Sequence, residues 1–387
     1  MATYKEQNKL NVPHLRFPEF QGEWEKHGLS EYLDFKNGLN PDSKRFGKGI
    51  KFISVMDILN NPVITYDCIR ASVQATDAEI SSFSVENGDI LFQRSSETLE
   101  DVGRANVYID DRVAVFGGFV IRGKKKANYN PLFFRYLLSS PYARKRIIPM
   151  GAGAQHFNIG QEGLSKVLLN FPSIEEQTKI ASLLHLLDER IATQSKLIED
   201  LKKLKSAISE SLFKDIKGDV VMLSEVCGII KGKQINGEFL SEKGKYYVMN
   251  GGTEPSGYYN DYNVGANTIS ISEGGNSCGY VQFNTSPFWS GGHCYTIQKI
   301  ADNVDNLYLY HYLKSKENAI MKLRIGSGLP NIQKKDLAMF KIKIPTVEQQ
   351  KAISTFLSSL ERKAEIEESI QNAMQKQKLH LLQQMFI

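Results

Sequence analysis

Seven histidines, a small group of carboxylates and a few glycine-rich turns are where this 387-residue sequence could do chemistry. His14, His27, His156, His185, His293, His311 and His380 fall at no H-E-x-x-H or other ligand spacing. Glu97, Glu100 and Asp101 imitate part of a nuclease carboxylate cluster, but the rest of a metal-binding constellation is missing. No G-x-x-x-x-G-K-[ST] loop is present, which argues against ATP hydrolysis by this chain. Phe116-Gly117-Gly118-Phe119 and Asn130-Pro131-Leu132-Phe133 echo the cofactor loop and catalytic turn of a methyltransferase. They lie too close together and lack a second proline, so they read as a strand turn and a helix start. Cys68, Cys227, Cys278 and Cys294 form no C-x-x-C pair, which argues against zinc and against a disulfide framework. The residues point to a chain that catalyses nothing on its own.

The elements that would position any binding residues are written twice. Pro172-Ser173-Ile174-Glu175-Glu176-Gln177 opens one long helical run, and Pro345-Thr346-Val347-Glu348-Gln349-Gln350 opens another. Gly153 and Gly326, Asn158 and Asn331, Leu164 and Leu337, and Pro172 and Pro345 match at one constant offset. Further upstream, Leu29-Ser30-Glu31 with Gly38 matches Leu223-Ser224-Glu225 with Gly232 at a larger offset, so the second copy is shorter. Matching ends with divergent middles suggest one scaffold carrying different loops.

Both helical runs open on the S/T-x-x-E/Q spacing of a capping box, Ser173 with Glu176 and Thr346 with Gln349. Ile180, Leu184, Leu187, Ile191, Ile198, Leu201, Ile208 and Leu212 then fall on steps of three and four, interrupted by Gln194 and Lys205. In the second run Ile353, Leu357, Leu360, Ala364, Met374, Leu381 and Met385 take those places, with Glu367, Gln371 and Lys378 as polar breaks. This is a coiled-coil pattern. Each helix of about 40 residues would span roughly 60 Å. The globular segment between them has a radius of gyration of only about 14 Å, so the helices are expected to pack antiparallel, with one globular module at each end.

The modules read as strand-rich. Gly49–Val55, Gly88–Phe92, Ala105–Ile109 and Arg112–Ile121 are the expected strands of the first. Tyr246–Met249, Thr268–Ser272, Gly279–Phe283 and Cys294–Ile297 are those of the second. A helix is expected in each, over 131–146 and 306–322, with an aromatic face for the core. Hydrophobic content of 41% suits ordinary folded cores, and no run reaches the roughly 20 apolar residues of a membrane span. With no signal-peptide pattern at the N-terminus, a cytoplasmic location and no membrane contact are expected. The net charge is +5, and the excess of Lys and Arg lies in the globular segments. Lys124-Lys125-Lys126 and Arg144-Lys145-Arg146 suit phosphate contacts.

Together these residues resemble the specificity subunit of type I restriction–modification enzymes. The doubled Pro-x-x-Glu-x-Gln-like helix start carries the likeness, with Gly88-Asp89-Ile90-Leu91-Phe92-Gln93-Arg94, Val102-Gly103-Arg104-Ala105 and the order module–helix–module–helix. The second module departs from the Gly-Asp-Ile-Leu pattern and has Ala266-Asn267-Thr268-Ile269-Ser270-Ile271-Ser272-Glu273-Gly274. The resemblance implies that each target-recognition domain reads one half of a bipartite site in double-stranded DNA. It further implies that two methyltransferase subunits dock on the paired helices and that motor-nuclease subunits join through them. S-adenosylmethionine, ATP and magnesium would then belong to the partner subunits, with no cofactor in this chain.

Base readout needs donors and acceptors at base edges, while Lys and Arg hold the backbone. Gln93, Arg94, Ser95, Ser96, Arg104, Gln155, His156 and Asn158 offer this in the first module. Lys231, Lys233, Gln234, Asn250, Ser272, Glu273, Asn276, Arg324, Ser327 and Asn331 offer it in the second. For Asn158 and Asn331 the competing reading is a cap on the following turn. The expected architecture is α+β: two pseudo-symmetric mixed α/β target-recognition domains separated by an antiparallel two-helix coiled-coil spacer. Its segments are 1–172 and 214–344 for the domains, 173–213 and 345–387 for the helices. The rival readings are a free-standing bipartite DNA-binding regulator and a nuclease.

Overall fold

The computed structural model describes residues 11–326, 328 and 330–387, so Ser327 lies outside the described residues. The chain divides into two units, Met1–Gln194 with Ile370–Ile387, and Ser195–Ser369.

In the first unit four antiparallel strands form the central sheet: β1 (Leu33–Asn37), β2 (Ile90–Gln93), β3 (Ala105–Val107) and β4 (Val120–Lys125). Their order across the sheet is β1-β4-β2-β3. Helix α1 (Pro131–Ser139) packs on this sheet, capped by Asn130, whose side chain accepts from the Phe133 N–H. Pro131 suits the first helical turn because its missing N–H would have no partner there. The aromatic face of α1 is core: Phe133 and Phe134 are fully buried against Trp24, Tyr129 and Phe171. The long helix α2 (Ile174–Asp215) begins in this unit, where Ile180 and Leu184 enter the same core.

The second unit repeats that frame. Strands β5 (Gly228–Lys231), β6 (Thr268–Ser272), β7 (Val281–Asn284) and β8 (Cys294–Gln298) run antiparallel in the order β5-β8-β6-β7. The departing segment 266–274 therefore occupies the place of the Gly-Asp-Ile-Leu strand. Asn267 even takes the positive φ of +56° that Gly88 takes at +93°. Helix α3 (Asn306–Ser315) is capped by Asp305 and buries Tyr308, Leu309 and Tyr312. The second long helix, α4 (Val347–Gln384), begins here, with Leu357 in the core. Each unit thus holds the start of one long helix and the end of the other. Phe213 near the end of α2 packs on Tyr308 and Tyr312, and Phe386 just past α4 packs on Trp24 and Phe133.

Each unit also carries a second sheet that contains a parallel pair, Phe46–Ile53 with Ala114–Phe116 and Tyr246–Met249 with Trp289–Ser290. The first unit adds a helix, Asp77–Phe83, and a strand, Ser84–Val85, which lengthen it. The expected single strand Arg112–Ile121 is two strands, Ala114–Phe116 and β4, because the chain changes sheets at Gly117-Gly118-Phe119. The expected helix over 131–146 is also two. Pro141 lacks the N–H that continuation needs, and Ser140 caps a second helix, Pro141–Ile147.

Among the seam residues, Ile180, Leu184, Ile198 and Leu357 are buried. Leu187, Ile191, Leu201, Ile353, Leu360, Met374 and Leu381 are half-buried. Two of the polar breaks are ion pairs that recur in each unit. Lys378 pairs with Asp188 in the first, and Lys205 pairs with Glu361 at 2.6 Å in the second. Asp188 also accepts from Tyr136 Oη at 2.8 Å, and Glu361 from Tyr310 Oη at 3.1 Å. Burial opposes charge on Asp188, yet Lys378, Tyr136 and Arg135 hold its carboxyl below the usual range.

Candidate nucleic-acid interface

The helix starts dock on their domains through the last residue of the repeated hexapeptide. Gln177 is buried; its Oε1 accepts from the Asn130 N–H at 3.1 Å and its Nε2 donates to Pro172 O at 3.0 Å. Gln350 does the same, accepting from the Asp305 N–H at 2.8 Å and donating to Pro345 O at 2.9 Å and Asn303 O at 3.0 Å. The capping boxes close only by half. Ser173 and Thr346 accept from the N–H three residues on, but the Glu176 carboxylate turns instead to Arg16 and Trp24 Nε1. Glu176 thereby ties the beginning of the first domain to the helix start.

In the first domain the end of β2 gathers the candidate polar residues. Gln93 exchanges backbone bonds with Gly103 and Arg104, and Ser95–Ser96 pairs antiparallel with Phe157–Asn158. Asn158 exchanges backbone bonds with Ala152, closing a hairpin that exposes Gln155 and His156. Its side chain bonds to the Ser95 hydroxyl rather than to the following turn. Arg94 is half-buried with Nη1 on Gly118 O at 3.3 Å, and Arg104 is exposed and paired with Asp101 at 2.6 Å. Gln93 departs from expectation. It is 5% exposed and spends its Nε2 on Ser95 O, so it supports the loop and presents nothing to a base.

The second domain repeats the hairpin: Asn331 exchanges backbone bonds with Ile325 and bridges to Gly274. The register fixes an equivalence. The Ile159 N–H donates to Arg94 O, and the Ile332 N–H donates to Glu273 O. Arg94 N–H donates to Phe119 O, and Glu273 N–H donates to His293 O. One backbone position thus carries Arg in one domain and Glu in the other.

Glu273 is 7% exposed, with Lys231 Nζ at 2.6 Å and Tyr295 Oη at 3.0 Å on its Oε1. It holds its neighbours and is itself withdrawn from any partner. Ser272 is likewise buried, donating to Gly251 O at 2.6 Å, which corrects the expectation that it reads bases. Asn250 Oδ1 accepts from the His293 N–H, and Gln234 packs on Gly292. Lys231, Lys233, Gln234, Asn276, Arg324 and Asn331 are exposed. Arg324 and Asn276 flank the hairpin and the Gly275 turn joined to it.

The basic clusters divide. Arg144 is spent on the carbonyls of Glu100, Val102 and Gly103, and burial brings its guanidinium down to about 10. Arg146 stacks on Tyr142, Lys124 pairs with Glu86, and Lys125 donates to Tyr129 O. Lys126 and Lys145 are exposed. Among the described residues no group of three or more His, Cys, Asp or Glu is arranged to hold a metal ion. No described helix is long and apolar enough to cross a membrane.

Comparison with known proteins gives this frame a family. The sequence model of the Type I restriction modification DNA specificity domain matches twice, over residues 21–203 and 216–376. The chain is 24% identical over 417 residues to the putative type I restriction enzyme MjaX specificity subunit of Methanocaldococcus jannaschii, covering 98% of this chain and 96% of that one. It is 34% identical over 137 residues, 35% of its length, to a putative type I specificity subunit of Mycoplasma pneumoniae. Its fold resembles the crystal structure of the type I restriction–modification S subunit from M. genitalium, with a TM-score of 0.64 at 18% identity over 97% of this chain and 99% of that one. A structure described as underlying complex assembly and conformational transition of the type I system gives a TM-score of 0.57 at 16% identity, over 93% of this chain and 96% of that one. With the domain matched twice across most of its length, the chain belongs to the type I restriction–modification DNA specificity family.

Proposed function

We propose that this protein is the non-catalytic sequence-specificity subunit of a type I restriction–modification complex. Each domain reads one half of a bipartite site in double-stranded DNA, and α2 and α4 pack antiparallel as the spacer between halves. The observation that carries this reading is the duplicated frame itself: the same backbone bonds join Ile159 to Arg94 in one domain and Ile332 to Glu273 in the other, while the exposed side chains around them differ. A duplicated frame serves one geometry, and different side chains on it serve two sequences.

The proposed segments are 1–172 and 214–344 for the domains, with 173–213 and 345–387 as spacer. Antiparallel packing is supported inside the second unit by its ion pairs. Lys202 pairs with Glu368 and Lys205 with Glu361 in the second, so one index falls as the other rises. Exposed apolar residues on the helices suit partner docking: Leu183 and Leu186 in the first unit, and Leu197, Leu204, Phe356 and Ile366 in the second. Two methyltransferase subunits would use these faces, with motor-nuclease subunits joined through them and S-adenosylmethionine, ATP and magnesium held by those partners. A cytoplasmic setting fits such an assembly.

The proposed DNA contacts are Arg94, Ser95, Ser96, Arg104, Gln155, His156 and Asn158 in one domain. In the other they are Lys231, Lys233, Gln234, Asn250, Asn276, Arg324 and Asn331. Co-expression with the cognate methyltransferase, followed by mapping of methylated adenines, tests the whole reading. The expected result is one bipartite motif with a fixed gap. A contiguous motif, or no methylation from an assembled complex, overturns it.

A further inference from the structure

The chain crosses between the two sheets of each domain at a Gly-Gly-X turn, and the turn is built twice on the same contacts. A Cβ on Gly38 would lie 2.1 Å from Gly117 O, and one on Gly232 would lie 2.2 Å from Gly291 O. A Cβ on Gly118 would strike Asn40 Oδ1 at 1.7 Å, and one on Gly292 would strike Gln234 Oε1 at 2.4 Å. The close backbone approach requires glycine at Gly38 and Gly232, whereas the neighbours of Gly118 and Gly292 are side-chain amides that can move. The third position is different in kind. Phe119 is 69% exposed, and the His293 side chain is 64% exposed. Their carbonyls accept from the N–H groups of Arg94 and Glu273, so each tip stands beside the charge-reversed position.

Neither side chain is needed by the turn, and each sits in a setting suited to one ligand chemistry. Phe119 borders an apolar recess of about 450 Å³ formed with Leu39, Phe46, Phe52 and Met56, with Ser95 beside it. The strand carrying Phe46 also carries exposed Lys48, and exposed Lys44 precedes it. At the other tip, His293 Nδ1 lies 3.7 Å from Glu273 Oε2, a buried carboxylate oxygen with no hydrogen-bond partner of its own. The Nδ1 edge of the ring thus faces the carboxylate, which leaves Nε2 as the ring's other hydrogen-bonding nitrogen.

Resting on the proposed reading of DNA by the two domains, we infer that the third residue of each turn is a base-reading tip in the major groove. Phe119 meets the 5-methyl group of a thymine in one half-site. His293 hydrogen-bonds through Nε2 to the polar edge of a base in the other. The major groove displays both the methyl group and the polar base edges, and apolar and hydrogen-bonding side chains distinguish them.

The test uses the full chain assembled with its methyltransferase subunits and maps methylated sites across a genome. The unaltered complex must first yield a bipartite motif; if it does not, the functional reading fails and not this one alone. Phe119→Ser should then relax one thymine position in one half-site on the order of tenfold, with the other half and the gap unchanged. Phe119→Leu keeps the apolar contact and should retain most of the preference. His293→Phe should relax one position in the opposite half-site and shift it toward thymine. An unchanged motif, relaxation in both halves, or failure of either variant to assemble assigns the tips a structural role and overturns the inference.

Discussion

At the scale of single residues, burial decides what a polar or titratable group can do. His311 on α3 is 2% exposed with its Nε2 2.9 Å from Ser358 Oγ on α4. Burial, opposed by Glu361 and aided by Lys205, brings its titration down to about 4 from 6.5. The folded form therefore holds His311 neutral while the unfolded chain protonates it below 6.5. Stability from this group is complete above that pH and is lost as pH falls toward 4, by up to about 3 kcal/mol. Thermal melts from pH 7.5 to 4.5 should show a smaller acid loss for His311→Gln than for the unaltered chain; equal losses would refute the assignment. Gln93, Ser272 and Glu273 make the same point about polar residues. Their types suit base edges, but each is spent or sealed inside its own loop.

At the scale of elements, the repeated hexapeptide does more than start a helix. Gln177 and Gln350 satisfy the N–H of the residue that caps the aromatic helix in their domain, and so lock each long helix to a globular core. Alanine at either position would strand a buried N–H and a buried carbonyl, costing about 2 kcal/mol. The neighbouring Gln349 is exposed, and Gln349→Ala should change stability by less than about 0.5 kcal/mol. Chemical denaturation of the three variants checks this, and equal effects would show that the lock is not where stability resides. The periodicity and caps of α2 and α4 were legible because helix pattern and capping are local in sequence. The glutamine lock was not, since Gln177 meets Asn130 across 47 residues.

At the scale of the whole molecule, the proposed function makes a ruler of the two long helices. The proposal that α2 and α4 form the spacer between half-sites predicts a specific change. Four extra residues inserted into each helix at matched levels should alter the number of unspecified base pairs in the methylated motif while both half-sites stay the same. An unchanged gap would remove the ruler from the proposed function. Insertion in one helix alone should impair assembly, because the doubled ion pairs at Lys205–Glu361 and Lys378–Asp188 would lose their register with the rest of the seam.

The sequence by itself determined the doubled scaffold, the starts of both long helices, the aromatic core faces and the stretches of chain that carry the candidate contacts. These follow from signals a few residues long: caps, prolines, and repeats of three and four. Only the tertiary structure decided which polar side chains remain available. Glu176 was read as half of a local capping box, yet it binds Arg16 across 160 residues. The Gly117-Gly118 stretch reads only as a strand turn, yet Gly38 packs against it, as Gly232 packs against Gly291, and each turn ends on an exposed side chain. Local pattern sets where a chain turns and coils; the partners that satisfy or seal a polar group come from distant segments, and those are brought together only by the fold.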